Sequence, residues 1–378
     1  MKLLKIRVPS GFKMLTKDFE INFMTKTRIN KEIANSDLVE LEKDFYYPKE
    51  TVFIGKNSSG KTTTLSLIRY VLYFLINGRL RNDFLRDGDA FELEMLFYNN
   101  GIIYKYNGKF VKDGAKNSEF LIIENELLEK TTMKDSYKKD LSNASYFKEH
   151  SFSPNNGSDT STVNKYAAVS GDPEFNISVD TVGYDTYLFN AYHDILGEKT
   201  FKALIHLFDD SVESIKPYIE DGKRSGYNFK RVGSVKPIVV YDDYLQSYLS
   251  AGTLRGINLY GMSIIAFKRG GTIIVDEIEK SFNRNLIENL LLMFNDESIN
   301  KNNASIIYST HYSELLDINN RCDNVNVLHR DHNSITLMNV HADYKSRTDM
   351  LKSGRFNQNV FDTLINYDRL MELKETLR

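Results

Sequence analysis

Apolar residues recur along the chain with two different periods, and together these periods predict an α/β fold. Continuous apolar runs occur within Thr51–Ile54, Gly271–Glu277 and Ile306–His311, and such runs are typical of strands that are buried on both faces of a parallel sheet. Lys61–Phe74, which follows the first run, has helical spacing instead. The pattern therefore predicts a core sheet that is parallel or mixed.

Other strand-like segments lie near the N-terminus and indicate an antiparallel β subdomain. Phe91–Tyr98 and Ile102–Tyr106 are separated by Asn-Asn-Gly at 99–101, which is a turn signal that predicts a β-hairpin. Phe120–Glu124 is predicted to form a further strand. We interpret residues 1–126 as an N-terminal lobe that contains this subdomain.

The pattern is looser over residues 127–235, which we predict to form an inserted, mostly helical lobe. Thr200–Glu220 has helical spacing, with these apolar residues on one face: Phe201, Leu204, Phe208, Val212, Ile215 and Ile219. Ser151–Thr162 has the composition of a mobile loop. The lobe lacks sustained heptads, so a long coiled coil is not expected.

Residues 236–378 are predicted to form a C-terminal lobe that completes a single domain spanning the chain. It begins with a strand at Pro237–Tyr241 and ends with an amphipathic helix at Gln358–Leu377.

The sequence G-K-N-S-S-G-K-T over Gly55–Thr62 fits the phosphate-binding pattern G-x-x-x-x-G-K-[ST]. Its position between a predicted strand and a predicted helix is the context that this pattern requires. Glycines allow the backbone to wrap around a phosphate, and the N-terminus of the helix offers free N–H groups. The candidate nucleotide-binding residues here are Gly55, Asn57, Ser58, Ser59, Gly60, Lys61, Thr62 and Thr63. Lys61 would neutralise phosphate charge, and the hydroxyl of Thr62 would bind Mg²⁺.

Three later segments carry polar residues that suit the same chemistry. Asp276 and Glu277 end a predicted buried strand, where the first acid could hold Mg²⁺ and the second could polarise a water molecule. His311 ends another such strand, where its imidazole could hydrogen-bond a phosphate. Leu249–Thr253 (L-S-A-G-T) is a small-residue loop before a helix, and it could bind phosphate oxygens through Ser250 and Gly252.

The order of these four motifs resembles that of the ATP-binding-cassette (ABC) ATPases, in the branch that includes the SMC, RecF and OLD proteins. Leu3–Val8 and Phe19–Phe23 also resemble the paired strands that open these ATPase heads. The resemblance implies ATP and Mg²⁺ as ligands and ATP hydrolysis as the reaction, with Lys61, Glu277 and His311 as catalytic residues. It also implies a homodimer or a higher homo-oligomer, in which Ser250 and Gly252 contact the nucleotide of a second copy.

A narrower resemblance, to the abortive-infection ATPases of bacterial phage defence, rests on three C-terminal segments: Asn300–Asp317, Arg330–Asp331 and Leu351–Phe356. It implies a nucleotide-gated sensor or scaffold that works with a separate effector, such as a nuclease or a toxin. Only 67 residues follow His311, which is too few for the nuclease domain of OLD proteins, so no cutting activity is expected. The alternative is a RecF-like or SMC-like ATPase that binds DNA in repair or recombination.

Composition limits the kinds of partner and the cellular location that we expect for the protein. The net charge is −2, so any contact with nucleic acid must be local; the candidate is Lys223–Arg231, which is either a binding surface or a solvated hairpin tip. Cys322 is the only cysteine, which excludes an internal disulfide. No long apolar stretch or signal peptide is evident, so a cytoplasmic protein without membrane contact is expected.

Overall fold

The computed structural model describes residues 1–27, 29, 37–82, 85, 90–112, 119–133, 141, 147, 149–152, 158–161, 163, 178–179, 192–280, 283–347, 350–364 and 367–377. The strands are β1 (Lys2–Val8), β2 (Phe19–Asn22), β3 (Leu38–Glu42), β4 (Phe45–Pro48), β5 (Glu50–Ile54), β6 (Ala90–Asn99), β7 (Ile102–Val111), β8 (Ile122–Thr132), β9 (Glu149–Phe152), β10 (Ser178–Val179), β11 (Val212–Glu220), β12 (Lys223–Arg231), β13 (Ile238–Tyr241), β14 (Thr272–Val275), β15 (Ser305–Ser309), β16 (Val325–Asp331) and β17 (Ser334–Asn339). The α-helices are α1 (Lys61–Asn77), α2 (Glu198–Phe208), α3 (Ala251–Arg269), α4 (Arg284–Asn295), α5 (Lys352–Asn357) and α6 (Tyr367–Thr376), and 3₁₀ turns cover Asp242–Ser247 and Ser313–Asp317.

The predicted mixed core sheet is present, in the strand order β10-β14-β15-β5-β16-β17. Its strands run parallel from β10 to β16, and β17 pairs antiparallel with β16. Alternate residues of one strand enter different apolar clusters: Phe53 packs in the first cluster, whereas Val52 and Ile54 pack in the second. Because both faces of the sheet are buried, its strands show continuous apolar runs rather than alternation.

The antiparallel sheet predicted for the N-terminal region is also present, in the order β2-β1-β6-β7-β8-β9. The pairing of β1 with β2 and of β6 with β7 confirms the expected short paired strands and the expected hairpin. β8 continues to Thr132, so this sheet crosses the predicted boundary at residue 126. Helix α1 packs in the same apolar cluster as the sheet, through Leu65, Ile68 and Leu72.

The helix predicted over Thr200–Glu220 is wrong in its second half. Helix α2 ends at Phe208, and residues 212–220 form strand β11. The register of β11 against β12 shifts between Val212 and Ser214, and a bulge of this kind adds a residue, so that buried Val212 and Ile215 lie three positions apart instead of two. A β-bulge therefore imitated helical spacing.

The inserted lobe is also not mostly helical in the part that the structure describes. Strands β9, β10, β11 and β12 all lie within residues 127–235, together with α2. In the segment predicted to be a mobile loop, Ser151–Thr162, the backbone N–H of Ser161 donates to Gly78 O, and the carbonyl oxygen of Ser158 accepts the backbone N–H of Ile123. Residues 153–157 and 162 lie outside the described residues.

The predicted C-terminal helix begins later than expected. Gln358 follows the end of α5, and α6 begins only at Tyr367. Between them, Asn359 and Asp362 have left-handed backbone conformations, which break a helix, and Phe361 is buried in the second apolar cluster. Within the described residues, no helix combines the length and the apolar character that a membrane span requires.

Candidate functional site

The phosphate-binding pattern forms a tight loop between β5 and α1, and two of its positions admit only glycine. Gly60, directly before α1, has a φ of +103°, and a Cβ there would lie 2.5 Å from Cδ1 of Ile335. A Cβ at Gly55 would lie 2.6 Å from the carbonyl oxygen of Leu328. The backbone of the loop is therefore packed closely against β16 and β17, and a side chain at either position would displace it.

Lys61 lies folded inside the loop. Its ammonium donates to the carbonyl oxygens of Gly55, at 2.9 Å, and of Lys56, at 3.0 Å. Burial lowers the pKa of Lys61, and the carboxylates of segment 276–279 act in the opposite direction. A buried ammonium whose hydrogen-bond acceptors among the described residues are neutral carbonyls is poised to bind an anion.

The remaining residues of the loop differ in exposure. Asn57 and Ser58 are exposed, Thr63 is half-buried and Ser59 is buried. The Oγ atom of Ser59 has no hydrogen-bond partner within the described part of the chain. A cradle of glycines, an orphaned hydroxyl and a helix N-terminus together fit a phosphate group.

Asp276 connects the loop to the neighbouring strands. Its carboxylate accepts hydrogen bonds from Thr62 Oγ1 and from Ser309 Oγ, both at 2.5 Å. The strand order explains the contact, because β15 lies between β14 and β5 and parallel strands end at the same edge of a sheet. Residues 214 positions apart thus share a hydrogen bond.

Glu277 follows Asp276 in a strained backbone conformation. Its φ is +49°, which is uncommon for a residue with a side chain. The backbone N–H of Glu277 donates to Ser309 Oγ at 2.7 Å, and its carboxylate lies 3.8 Å from Lys280 Nζ. Ser309 therefore orients both acids at the end of β14.

His311 is half-buried and is held by a third acid. Its backbone N–H donates to Glu279 Oε1 at 2.7 Å, while Glu279 Oε2 is buried without a partner among the described residues. Burial and the charge of Lys61 lower the pKa of His311, which favours the neutral imidazole.

The structure does not join the L-S-A-G-T segment to the phosphate loop. Ser250 caps α3, and its Oγ accepts the backbone N–H of Thr253 at 3.0 Å. Ser250 is exposed and Gly252 is half-buried. No hydrogen bond between either residue and the phosphate loop occurs in the described part of the chain.

Sequence reasoning did not anticipate several contacts of the site. The bridging role of Ser309 had one local signal, a hydroxyl at the end of a buried strand. Arg330 donates to the carbonyl oxygen of Ser58 at 3.3 Å, and Lys56 pairs with Asp362 at 2.7 Å. The last two contacts join residues 272 and 306 positions apart, so no local pattern could reveal them.

No group of three or more His, Cys, Asp or Glu side chains that could hold a metal ion occurs among the described residues. Ser281 and Phe282, which continue the acidic segment, lie outside those residues. The hydroxyl of Thr62 and the carboxylate of Asp276, which are in contact, are oxygen ligands of the kind that suits Mg²⁺.

Comparison with known proteins agrees with this geometry. A family model described as "AAA domain, putative AbiEii toxin, Type IV TA system" matches residues 51–317, from the phosphate-loop strand to the segment after His311. A search of curated proteins finds no significant match. The chain thus belongs to this family of P-loop AAA-type ATPases, which is related to the SMC-like and RecF-like ABC ATPases.

Proposed function

We propose that the protein binds ATP with Mg²⁺ at the phosphate loop and hydrolyses it to ADP and phosphate. The observation that supports this most directly is the chain of hydrogen bonds from Thr62 through Asp276 to Ser309. It places a hydroxyl and a carboxylate in contact beside a phosphate cradle, and these are the oxygen ligands that Mg²⁺ prefers. Mg²⁺ held by Thr62 and Asp276 would neutralise phosphate charge.

The phosphate loop, Lys61, Glu277 and His311 each have a distinct role in the proposed reaction. The loop N–H groups bind the β-phosphate, and Lys61 exchanges its two carbonyl partners for β- and γ-phosphate oxygens. Glu277 accepts a proton from the attacking water, and neutral His311 donates a hydrogen bond to the γ-phosphate. The proton leaves water for the Glu277 carboxylate as the water oxygen bonds to phosphorus and the bond to the ADP oxygen breaks.

The second half of the site comes from another copy of the chain in this proposal. Ser250 and Gly252 lie at the N-terminus of α3, where free N–H groups favour an anion. Among the described residues, the hydrogen bonds of the Ser250 side chain are with Thr253 of the same helix, so this helix end remains available to cap the nucleotide of a second copy. ATP would therefore hold two copies together until hydrolysis.

Glu277→Gln tests the proposed base. The variant keeps the size of the side chain but cannot accept the proton, so kcat should fall by about 10²–10⁴-fold while ATP binding persists. Phosphate release and titration with a fluorescent ATP analogue would measure the two effects, and ATP should hold the variant as a dimer in sedimentation. A variant that hydrolyses ATP at the parental rate would show that Glu277 is not the base.

We further propose that ATP binding gates a phage-defence response, in which the protein acts as sensor or scaffold for a separate effector. The support is the description of the matched family, which names a toxin of a toxin–antitoxin system. Bacteria that express the protein with its neighbouring genes should resist phage, and Lys61→Ala should abolish that resistance. Equal resistance with Lys61→Ala would separate the defence role from nucleotide binding.

The structure gives less support to the alternative, a DNA-binding ATPase of the RecF kind. In the basic stretch that forms β12, Arg224 pairs with Asp242 at 2.7 Å and Lys230 pairs with Glu213 at 2.8 Å. Neighbouring acids thus neutralise part of the stretch. ATP-dependent DNA binding that weakens steeply with salt would reverse this preference.

A further inference from the structure

Within the described residues, the three-stranded sheet β11-β12-β13 has two edge strands, and they differ in how well they are protected against pairing with another strand. At the β11 edge, Pro217 lacks a backbone N–H, Lys216 is exposed, and the register shifts twice. Natural sheets use these features to prevent contact between edges. The β11 edge therefore disfavours an added strand.

Strand β13 has none of these features. Its four residues, I-V-V-Y, carry no charge, proline or register shift, although the strand is short and Pro237 directly precedes it. Ile238, Val239 and Tyr241 are 49%, 42% and 48% exposed, and within the described residues β13 pairs with β12 alone. An unprotected apolar edge is a template for a further strand.

The exposed apolar surface extends beyond the strand at both ends. Val235, just before β13, is 92% exposed, and Tyr244, just after it, is 63% exposed. Exposed apolar side chains in such a cluster mark a protein contact rather than an ordinary solvated surface. Tyrosine in particular is enriched in protein interfaces.

We propose that β13 pairs antiparallel with β13 of a second copy, so that two three-stranded sheets form one continuous sheet. The charges at the two ends of the strand support this occupant. Lys236 precedes β13, and Asp242 and Asp243 follow it. In an antiparallel pair the beginning of one strand lies beside the end of the other, so Lys236 of each copy faces Asp243 of the other copy, and the contact occurs twice by symmetry. Asp242 is paired with Arg224 of its own chain.

This contact is separate from the proposed ATP-dependent pairing and requires no nucleotide. A pair of four-residue strands with its flanks forms a small interface, and small interfaces are weak. The nucleotide-free protein should therefore be a monomer at low concentration and a dimer at high concentration.

Sedimentation velocity of the nucleotide-free, full-length protein over a range of concentrations tests the contact. Val239→Lys should place two ammonium groups in the interface and raise the dissociation constant at least about tenfold. Ile219→Lys, on the protected β11 edge, is the matched control and should leave the dissociation constant unchanged. Circular dichroism should show that both variants are folded. Wild-type protein that stays monomeric throughout, or equal effects of both variants, would overturn the proposal.

Charge exchange provides a second test that does not depend on apolar packing. Lys236→Glu and Asp243→Lys should each weaken the dimer, because like charges then face each other. The double variant restores opposite charges and should recover most of the dimerisation. If the double variant weakens the dimer by the sum of the two single effects, the strands do not pair antiparallel.

Discussion

The phosphate-loop half of the proposed nucleotide site and its second half, formed by the L-S-A-G-T segment (Leu249–Thr253) and called the signature half below, differ in how their polar groups are held. Around the phosphate loop, hydrogen bonds from Thr62 to Asp276 and from Ser309 to Asp276 link segments that follow or end three strands of one sheet. In the signature half, Ser250 is exposed, and among the described residues its side chain is hydrogen-bonded within the first turn of α3. The first half is assembled by one chain, whereas the second presents a helix end to the outside. We therefore expect one copy of the chain to suffice for ATP binding and two copies to be needed for ATP hydrolysis.

Of the variants that test this comparison, Lys61→Ala should have the largest effect, because it removes the ammonium that is bonded to the carbonyl oxygens inside the phosphate loop. We expect kcat/KM for ATP to fall by about 10²–10³-fold or more, together with a loss of nucleotide binding in a fluorescence titration. Lys56→Ala is a control in the same loop, since that lysine pairs with Asp362, and its effect should be much smaller. Equal effects of the two substitutions would mean that Lys61 acts only by general charge.

Mixing two inactive variants tests whether the signature half acts on another copy. Ser250→Ala should bind ATP but hydrolyse it slowly. Lys61→Ala should neither bind ATP nor hydrolyse it. A mixture of the two contains pairs in which one intact phosphate loop faces one intact Ser250, so phosphate release should exceed that of either variant alone. If the mixture shows no gain, both halves act within one chain and do not differ in the number of copies that they need.

Ser309→Ala should have an intermediate effect, because it leaves Asp276 and the backbone N–H of Glu277 without a shared partner. Such a loss costs about 1–3 kcal/mol, and we expect kcat to fall about tenfold with little change in KM. Ser263→Ala is a suitable control, since Ser263 is equally buried but donates to Leu259 O within α3. A similar loss of kcat in the control would indicate a general packing effect.

Glu50→Gln should change stability with pH and leave activity almost unaltered. Glu50 lies at the opposite end of β5 from the phosphate loop, and burial raises its pKa to about 8, so the folded protein holds a proton that the unfolded chain has lost. The stabilising contribution is complete below the unfolded pKa near 4.5 and declines as pH rises towards 8, by up to about 1.4 kcal/mol per pH unit.

Glutamine carries no titrating proton at this position, and its carbonyl can keep the hydrogen bond from Asn295 Nδ2 that Glu50 accepts at 3.0 Å. The Tm of the variant should therefore match that of the parent near pH 5 and exceed it near pH 8. Thermal unfolding at several pH values would measure this. A difference in Tm that does not vary with pH would show that Glu50 is ionised in the folded protein.

Local sequence patterns predicted the structure correctly where an element depends on residues that are close together in the sequence. The strand, loop and helix around Gly55–Thr62 were predicted within a few residues, because an apolar run, two glycines and helical spacing each have a direct conformational cause. The hairpin of β6 and β7 was predicted for the same reason. The spacing of Val212 and Ile215 misled, because a bulge depends on the partner strand and leaves no mark of its own in the sequence.

The sequence by itself determined which segments enter the core sheet and which side chains end its strands, since burial on both faces demands continuous apolar runs. It did not determine that β15 lies between β14 and β5, which brings Ser309 to Asp276, nor that Asp362 reaches Lys56. Nor did it show that β13 ends as an unprotected edge. Strand order and edges follow from the packing of the whole chain, because hydrogen bonds between strands join residues that are far apart in sequence.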